Sequence, residues 1–253
     1  MLGGPDFRTE WREETASTNS DARSLAEAGE RGPLWIAAKR QTAGRGRRGR
    51  SWSGIDGNLF TTGLFTFSAD PGEVAKLSFA AALAVAEVCD QAGIDPARTK
   101  LKWPNDVLVD GRKLAGILLE SGAAPGGGLW LAVGIGINIT QAPQIDDRPV
   151  AAINTAGGET TREAALDVLA GSFAGWLKRW SVDGFGPIRD HWLMRAHGLG
   201  ADCRARLGEE TIRGVFADLA PDGSLRLDLA SGERRYISAG EVFFLTGPGR
   251  VPR

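Results

Sequence analysis

The period of the apolar positions changes along the chain, and each change marks an element. Ser17, Thr18 and Asn19 precede the first helical pattern. Thr18 with Asp21 three residues on has the form of a capping box, and Gly29 supplies a C-terminal stop. Residues 34–39 (LWIAAK) are an apolar run of strand length, and residues 58–67 (NLFTTGLFTF) predict a strand rich in Thr and Phe. Between them, residues 41–52 carry Gly and Arg without apolar periodicity and read as a loop. Residues 73–92 keep helical spacing up to Gly93.

The centre reads as sheet. Residues 99–103 form a short strand halted by Pro104, because the residue before proline is driven to extended geometry. Residues 107–109 and 112–120 flank Asp110-Gly111, a two-residue hairpin signal. Residues 123–128 (AAPGGG) are a turn, and residues 129–139 a strand thinned by Gly134 and Gly136. An amphipathic helix is predicted over 161–180 and a shorter one over 187–197.

From about residue 202 the texture changes. Five short alternating runs (CRARL, TIRGVFADL, SLRLDL, RRYIS, EVFFL) are split by turns at Gly208-Glu209, Pro221-Asp222-Gly223 and Ser231-Gly232. They predict a β-barrel of about fifty residues. A boundary near Gly200 would separate residues 1–200 from residues 201–253. The fold class expected is α+β: a mixed β-sheet packed against helices, then a small barrel.

Lys plus Arg number 30 and Asp plus Glu 31 in 253 residues, so the formal net charge is -1. That balance excludes a bulk nucleic-acid binder, and basic residues must act by clustering. Cys89 and Cys203 have no metal-like spacing, and His191 and His197 adjoin no Cys cluster, so neither a disulfide framework nor a structural zinc is expected. The N-terminal stretch lacks a leader pattern, and the longest apolar run, near residues 79–89, is too short to cross a bilayer. A cytoplasmic protein without a membrane partner is the expectation.

Four segments carry chemistry, one of them Ser17-Thr18-Asn19, which reads as simple capping or as hydrogen bonding to a small molecule at the same helix end. Residues 39–50 contain six cations (Lys39, Arg40, Arg45, Arg47, Arg48, Arg50) and no acid, interleaved with Gly44, Gly46 and Gly49. Glycines let backbone N–H groups turn toward an anion, and arginines add forked donors. The run lacks the Gly-Lys-Ser/Thr of a phosphate-binding P-loop. By itself it also fits a solvated basic loop or a nucleic-acid contact. Lys102 lies in an apolar run between Leu101 and Trp103, where its amine either enters a cleft or stays in water. Gly116, Gly134 and Gly136 thin two apolar strands and can open a slot for an aliphatic chain, or belong to plain core. Asn138, polar at the end of such a strand, needs a partner. Trp52 reads as core or as a stacking platform.

In order, Ser17-Thr18-Asn19, Gln41 through Trp52 (QTAGRGRRGRSW), Lys102-Trp103-Pro104-Asn105-Asp106, the KLAGIL run at 113–118 and the GIGIN run at 134–138 resemble the biotin–protein ligases. The match spans most of residues 15–140. Val150–Gly158 departs from the family's pattern, and no site is assigned there. The resemblance implies a catalytic domain like that of class II aminoacyl-tRNA synthetases, followed by an SH3-like barrel. It implies biotin and ATP as substrates, with Mg²⁺ whose ligands it leaves open. Ser17, Thr18, Asn19, Gln41, Gly44, Arg45, Gly46 and Gly116 would hold biotin. Arg47 and Lys102 would be catalytic and touch the carboxylate. Arg47, Arg48, Arg50, Trp52, Asn105 and Asn138 would bind ATP. The acceptor would be a lysine of a biotin carboxyl carrier protein, and a homodimer through sheet edges fits the family. Only about a dozen residues precede the first motif, so no DNA-binding module and no transcriptional role are expected. A lipoate–protein ligase shares this chemistry and is the nearest rival. A non-catalytic nucleic-acid binder using Arg45–Arg50 is the second.

Overall fold

The computed structural model describes residues 7–52, 55–144 and 149–244. In chain order the elements are β1 (Arg8–Thr15), α1 (Thr18–Glu27), β2 (Leu34–Gln41), β3 (Leu59–Phe67), α2 (Pro71–Ala75), α3 (Leu77–Gln91), β4 (Thr99–Lys102), β5 (Asp106–Val109), β6 (Arg112–Ala123), β7 (Leu129–Ile137), α4 (Arg162–Asp183), α5 (Gly186–Met194), β8 (Asp202–Leu207), β9 (Glu210–Leu219), β10 (Leu225–Asp228), β11 (Arg234–Ile237) and β12 (Glu241–Phe244). Seven strands form a mixed sheet in the order β1-β2-β3-β7-β6-β5-β4, with β1 parallel to β2 and the other pairs antiparallel. Five form an antiparallel sheet in the order β11-β10-β9-β8-β12, consistent with an SH3-like module.

The large sheet is covered on both faces. Along β2, Trp35 and Ala37 join the main core while Leu34 and Ile36 join a second cluster with Ala22 and Ala26 of α1, as a period of two requires. On the other face α3 packs against β4, β5, β6, β7 and α4. Its side chains are buried almost all round, which explains the unbroken Ala/Val/Leu run. The main core continues without a break into the small sheet through Phe216, Leu225 and Val242. Trp103 Nε1 donates to Gly223 O at 3.1 Å, tying the two sheets together.

Several local expectations are corrected. Residues 8–15, which show no predictive pattern, form β1, an edge strand with no buried residue. Five of its eight residues are charged, which hides a strand that needs only one neighbour. The capping box is absent. Ser17 is the N-cap, no side-chain cap hydrogen bond forms, and the Thr18 hydroxyl is used elsewhere. β2 runs on to Gln41 because β1 pairs with it as far as Thr15↔Gln41. The helix expected over 73–92 is two helices, joined at the buried Lys76. The second late helix stops at Met194, since Leu101 N donates to Arg195 O and His197 N to Leu101 O, which draws residues 195–197 alongside β4. Asp110 and Gly111 both take positive φ (52° and 73°), as the hairpin signal required. Leu245, read as the end of the last strand, lies outside the described residues.

Candidate functional site

The face of the sheet covered by α1 is only half filled. On β7 the apolar series Trp130, Ala132 gives way to Gly134 and Gly136. Their partners across β6 are Leu118 and Gly116. On β4, Leu101 faces the core, so Lys102 turns to the opposite side. The result is a cavity of about 560 Å³ floored by these strands, bounded by the start of α1, the arginine loop and β12.

The arginine loop is a folded structure. Gly46 N donates to Arg50 O at 2.7 Å and Trp52 N to Gly44 O at 2.9 Å, closing it like a hairpin around a single helical turn at Arg47–Gly49. Arg48 sits in the left-handed region (φ 58°), a conformation that costs energy for a residue with a side chain. Arg47 Nη1 donates to Asn105 Oδ1 at 3.3 Å, and Asn105 Nδ2 to Ile117 O at 2.6 Å, so β6 holds Arg47 at the wall. Burial, then the charge of Arg48, pushes the Arg47 guanidinium below its ordinary pKa. Arg48 lies 3.3 Å from Glu241, Arg50 also contacts it, and Arg206 donates to it at 2.7 Å. Burial alone would raise the Glu241 carboxyl. Hydrogen bonds from Arg206 and Arg50 and the charges of Arg50 and Arg48 prevail and bring it to about 2.

At one end of the cavity Thr18 N donates to Gln41 Oε1 at 2.8 Å, and Thr62 Oγ1 lies within 2.8 Å of both Thr18 Oγ1 and Asn19 Oδ1. At the other end Trp52 lies over the glycine floor. A Cβ on Gly136 would stand 2.5 Å from the indole, and one on Gly116 2.9 Å. Gly134 likewise makes room for Asn19. The slot expected over these three glycines is therefore taken up by Trp52 and Asn19. The Trp52 Nε1 is buried without a hydrogen-bond partner among the described residues. Lys113, paired with Asp106 at 2.6 Å, places its amine 5.4 Å from the centre of a Trp52 ring. Asn138 finds the partners it needed. Its Nδ2 donates to Ala151 O, and its Oδ1 accepts from Asn58.

Lys102, on the edge strand β4, also lines the cavity, its Nζ 5.9 Å from the Phe243 ring centre. His197 shares this wall. Burial, then Lys102 and Lys100, lowers its pKa, which keeps the imidazole neutral at neutral pH.

Of the residues singled out from sequence, Ser17, Thr18, Asn19, Gln41, Arg45, Gly46, Arg47, Arg48, Arg50, Trp52, Lys102, Asn105, Gly116 and Asn138 all line this one cavity. Gly44 does not. A Cβ there would lie 2.7 Å from Trp52 O and 2.9 Å from Gln41 Nε2, so its small size serves loop packing. Sequence reasoning missed Glu241 and Phe243, which the C-terminal sheet delivers, His197 from the segment beside β4, and Val150. It also missed Thr62 and Glu120, which stand behind the wall. Their local sequence carried no signal, although a Thr pair at a buried strand centre was visible.

Fold and site together define a cation-lined cavity on a mixed sheet, bordered by an arginine loop that a small C-terminal sheet holds down. Comparison narrows this class. Residues 12–139 match the model of the Biotin/lipoate A/B protein ligase family, and residues 198–245 that of the biotin protein ligase C-terminal domain. The biotin–[acetyl-CoA-carboxylase] ligase of Paracoccus denitrificans is 42% identical, covering 91% of this chain and 98% of the relative. That of Mycobacterium tuberculosis is 32% identical, covering 93% and 90%. The structure of the Aquifex aeolicus biotin protein ligase in complex with biotin and ATP superposes with a TM-score of 0.78 at 27% identity, covering 94% of this chain and 98% of that one. The chain belongs to the biotin/lipoate A/B protein ligase family and is a ligase of the biotin–protein ligase branch.

Proposed function

We propose that the chain activates biotin with ATP and transfers it to a lysine of a biotin carboxyl carrier domain, as the names of its relatives suggest. The observation that carries this reading is the convergence of Thr18 and Gln41, Arg47 and Lys102, and Trp52 on one cavity. Thr18 and Gln41 suit the ureido ring, and Trp52 with its buried N–H suits a nucleobase. Asn138 shapes that end by holding Ala151. Lys102 and Arg47 line the same cavity and would supply positive charge to the junction of acid and nucleotide.

In the first step a biotin carboxylate oxygen attacks the α-phosphorus of ATP, the bond to the β-phosphate oxygen breaks, and pyrophosphate leaves. Negative charge spreads over phosphate oxygens, and fixed cations at Lys102, Arg47, Arg48 and Arg50 stabilise it. In the second step the acceptor amine attacks the carbonyl carbon, the bond to AMP breaks, and the amine loses a proton. The mixed anhydride hydrolyses readily, so the arginine loop must exclude water while it waits.

Among the described residues there is no group of three or more His, Cys, Asp or Glu side chains able to hold a metal. Mg²⁺ needs only one or two carboxylates when substrate phosphates supply the other oxygens. Asp106 on the wall fits that demand, and the ion would neutralise phosphate charge. No helix among the described residues is long and apolar enough to cross a membrane. We further propose that residues 1–200 are the catalytic unit and residues 201–253 the C-terminal module.

The test is pyrophosphate release on adding biotin and Mg-ATP without acceptor. Biotin-dependent release is expected. Release driven by lipoate instead, or by neither acid, would overturn the reading.

A further inference from the structure

The hydrogen-bond chain behind the cavity wall has a direction that its geometry fixes. Asn19 Nδ2 lies 2.7 Å from Glu120 Oε2 and 3.3 Å from Leu118 O. A carbonyl and an ionised carboxylate only accept, so the amide's NH₂ must face them and its oxygen must face Thr62. Asn19 Oδ1 cannot donate. Thr62, 2.7 Å away, therefore gives it the one proton of its hydroxyl. Thr62 Oγ1 also lies 2.8 Å from Thr18 Oγ1, and with its proton spent it must accept there. Thr18 is then the donor in that contact and has no hydroxyl proton left.

The same logic fixes Gln41. Thr18 N–H donates to its Oε1 at 2.8 Å, so oxygen is on that side of the amide. Thr18 Oγ1 and Gln41 Oε1 stand 3.2 Å apart, two acceptors with no proton to share. Both residues line the cavity. Asn19 and Thr62 are almost fully buried, so water does not scramble the order. Gly134 keeps the chain intact, because a Cβ there would stand 1.9 Å from Asn19 Oδ1.

We propose that Thr62 and Glu120, neither of which is on the cavity wall, set this direction so that the pair Thr18 and Gln41 demands an N–H from the ligand. They are positioning residues for substrate choice. A cyclic urea supplies such an N–H and a dithiolane supplies none. This rests on the biotin reading above.

The test titrates the full-length chain with biotin by calorimetry, alongside two biotin analogues in which one or the other ureido N–H is replaced by ring oxygen. Thr62→Val keeps the volume and removes the hydroxyl, and Thr62→Ser keeps the hydroxyl. Thr62→Val is expected to weaken biotin about ten- to hundredfold, because the Thr18 proton, no longer held by Thr62, turns to Gln41 Oε1 and a ligand N–H loses its acceptor. KM for biotin should rise while kcat at saturating biotin stays unchanged, and Thr62→Ser should restore affinity. The wild type should discriminate against at least one oxygen analogue, and Thr62→Val should bind that analogue as weakly as the wild type does. Equal biotin affinity of wild type and Thr62→Val overturns the proposal, as does a Thr62→Ser variant as impaired as Thr62→Val. If Thr62→Val does not fold, the wild type decides: equal affinity for biotin and both analogues overturns it. A wild type that binds no biotin at all instead overturns the underlying site reading.

Discussion

Glu241, the first residue of the last strand, holds Arg50 of the arginine loop from across the molecule. The same carboxylate also receives Arg48 and Arg206, so one side chain of the C-terminal sheet gathers three guanidiniums. Glu241→Gln is expected to free the loop and raise the rate of tryptic cleavage between Arg47 and Arg50 several-fold, with the unfolding midpoint little changed. An unaltered cleavage rate would refute the anchoring role. The pH dependence has a definite sign. The carboxyl titrates at about 2 in the folded chain against an ordinary 4.5. Anchoring is therefore complete above about pH 4.5 and is lost as the pH falls toward 2. Cleavage by an acid-active protease should rise through that window in the wild type and stay flat in Glu241→Gln.

Lys102 lines the cavity with a compact ammonium near Phe243, and under the proposed reaction it faces the junction of acid and nucleotide. Removing one preorganised charge from a closed site costs roughly 10²–10³ in rate. Lys102→Ala should lower biotin-dependent pyrophosphate release by that factor with biotin binding largely kept. Undiminished release would rule out the electrostatic role.

Arg47 is held to Asn105, and through it to Ile117 of the sheet. Arg47→Gly removes that tether at the centre of the loop. The expected outcome is leakage of biotinyl-adenylate, measured as its appearance in the filtrate when no acceptor is present. Retention of the intermediate as tight as in the wild type would contradict the lid role.

Gly136 lies beneath the Trp52 indole, with no room for a methyl group: the added Cβ would be 2.5 Å from the ring. Gly136→Ala must displace Trp52. Nucleotide affinity should fall about tenfold, the scale of losing a base–aromatic stack, while biotin affinity changes less. Equal losses for both ligands would show that the floor, and not the platform, had been disturbed.

The chemistry was legible wherever it is local. The Arg/Gly loop, the turned lysine after Leu101 and the Asp110-Gly111 hairpin each follow from residue types at short spacing, because glycine freedom, arginine charge and strand alternation act within a few residues. The fold class followed from the same signals, but most wall residues, open between core, cap and site when read singly, were assigned through the ordered resemblance to the biotin–protein ligases. What tertiary structure decided came from distance. β1 is charged at five of eight positions and becomes a strand only beside β2. Glu241 joins Arg50 across 191 positions of sequence, and Asn19 joins Glu120 across 101. No local pattern marks such a pair, because each side chain by itself is equally content in water. Only the sheet's register and the docking of the C-terminal strands, both driven by apolar burial, bring these polar groups close enough to fix one another's charge and proton direction.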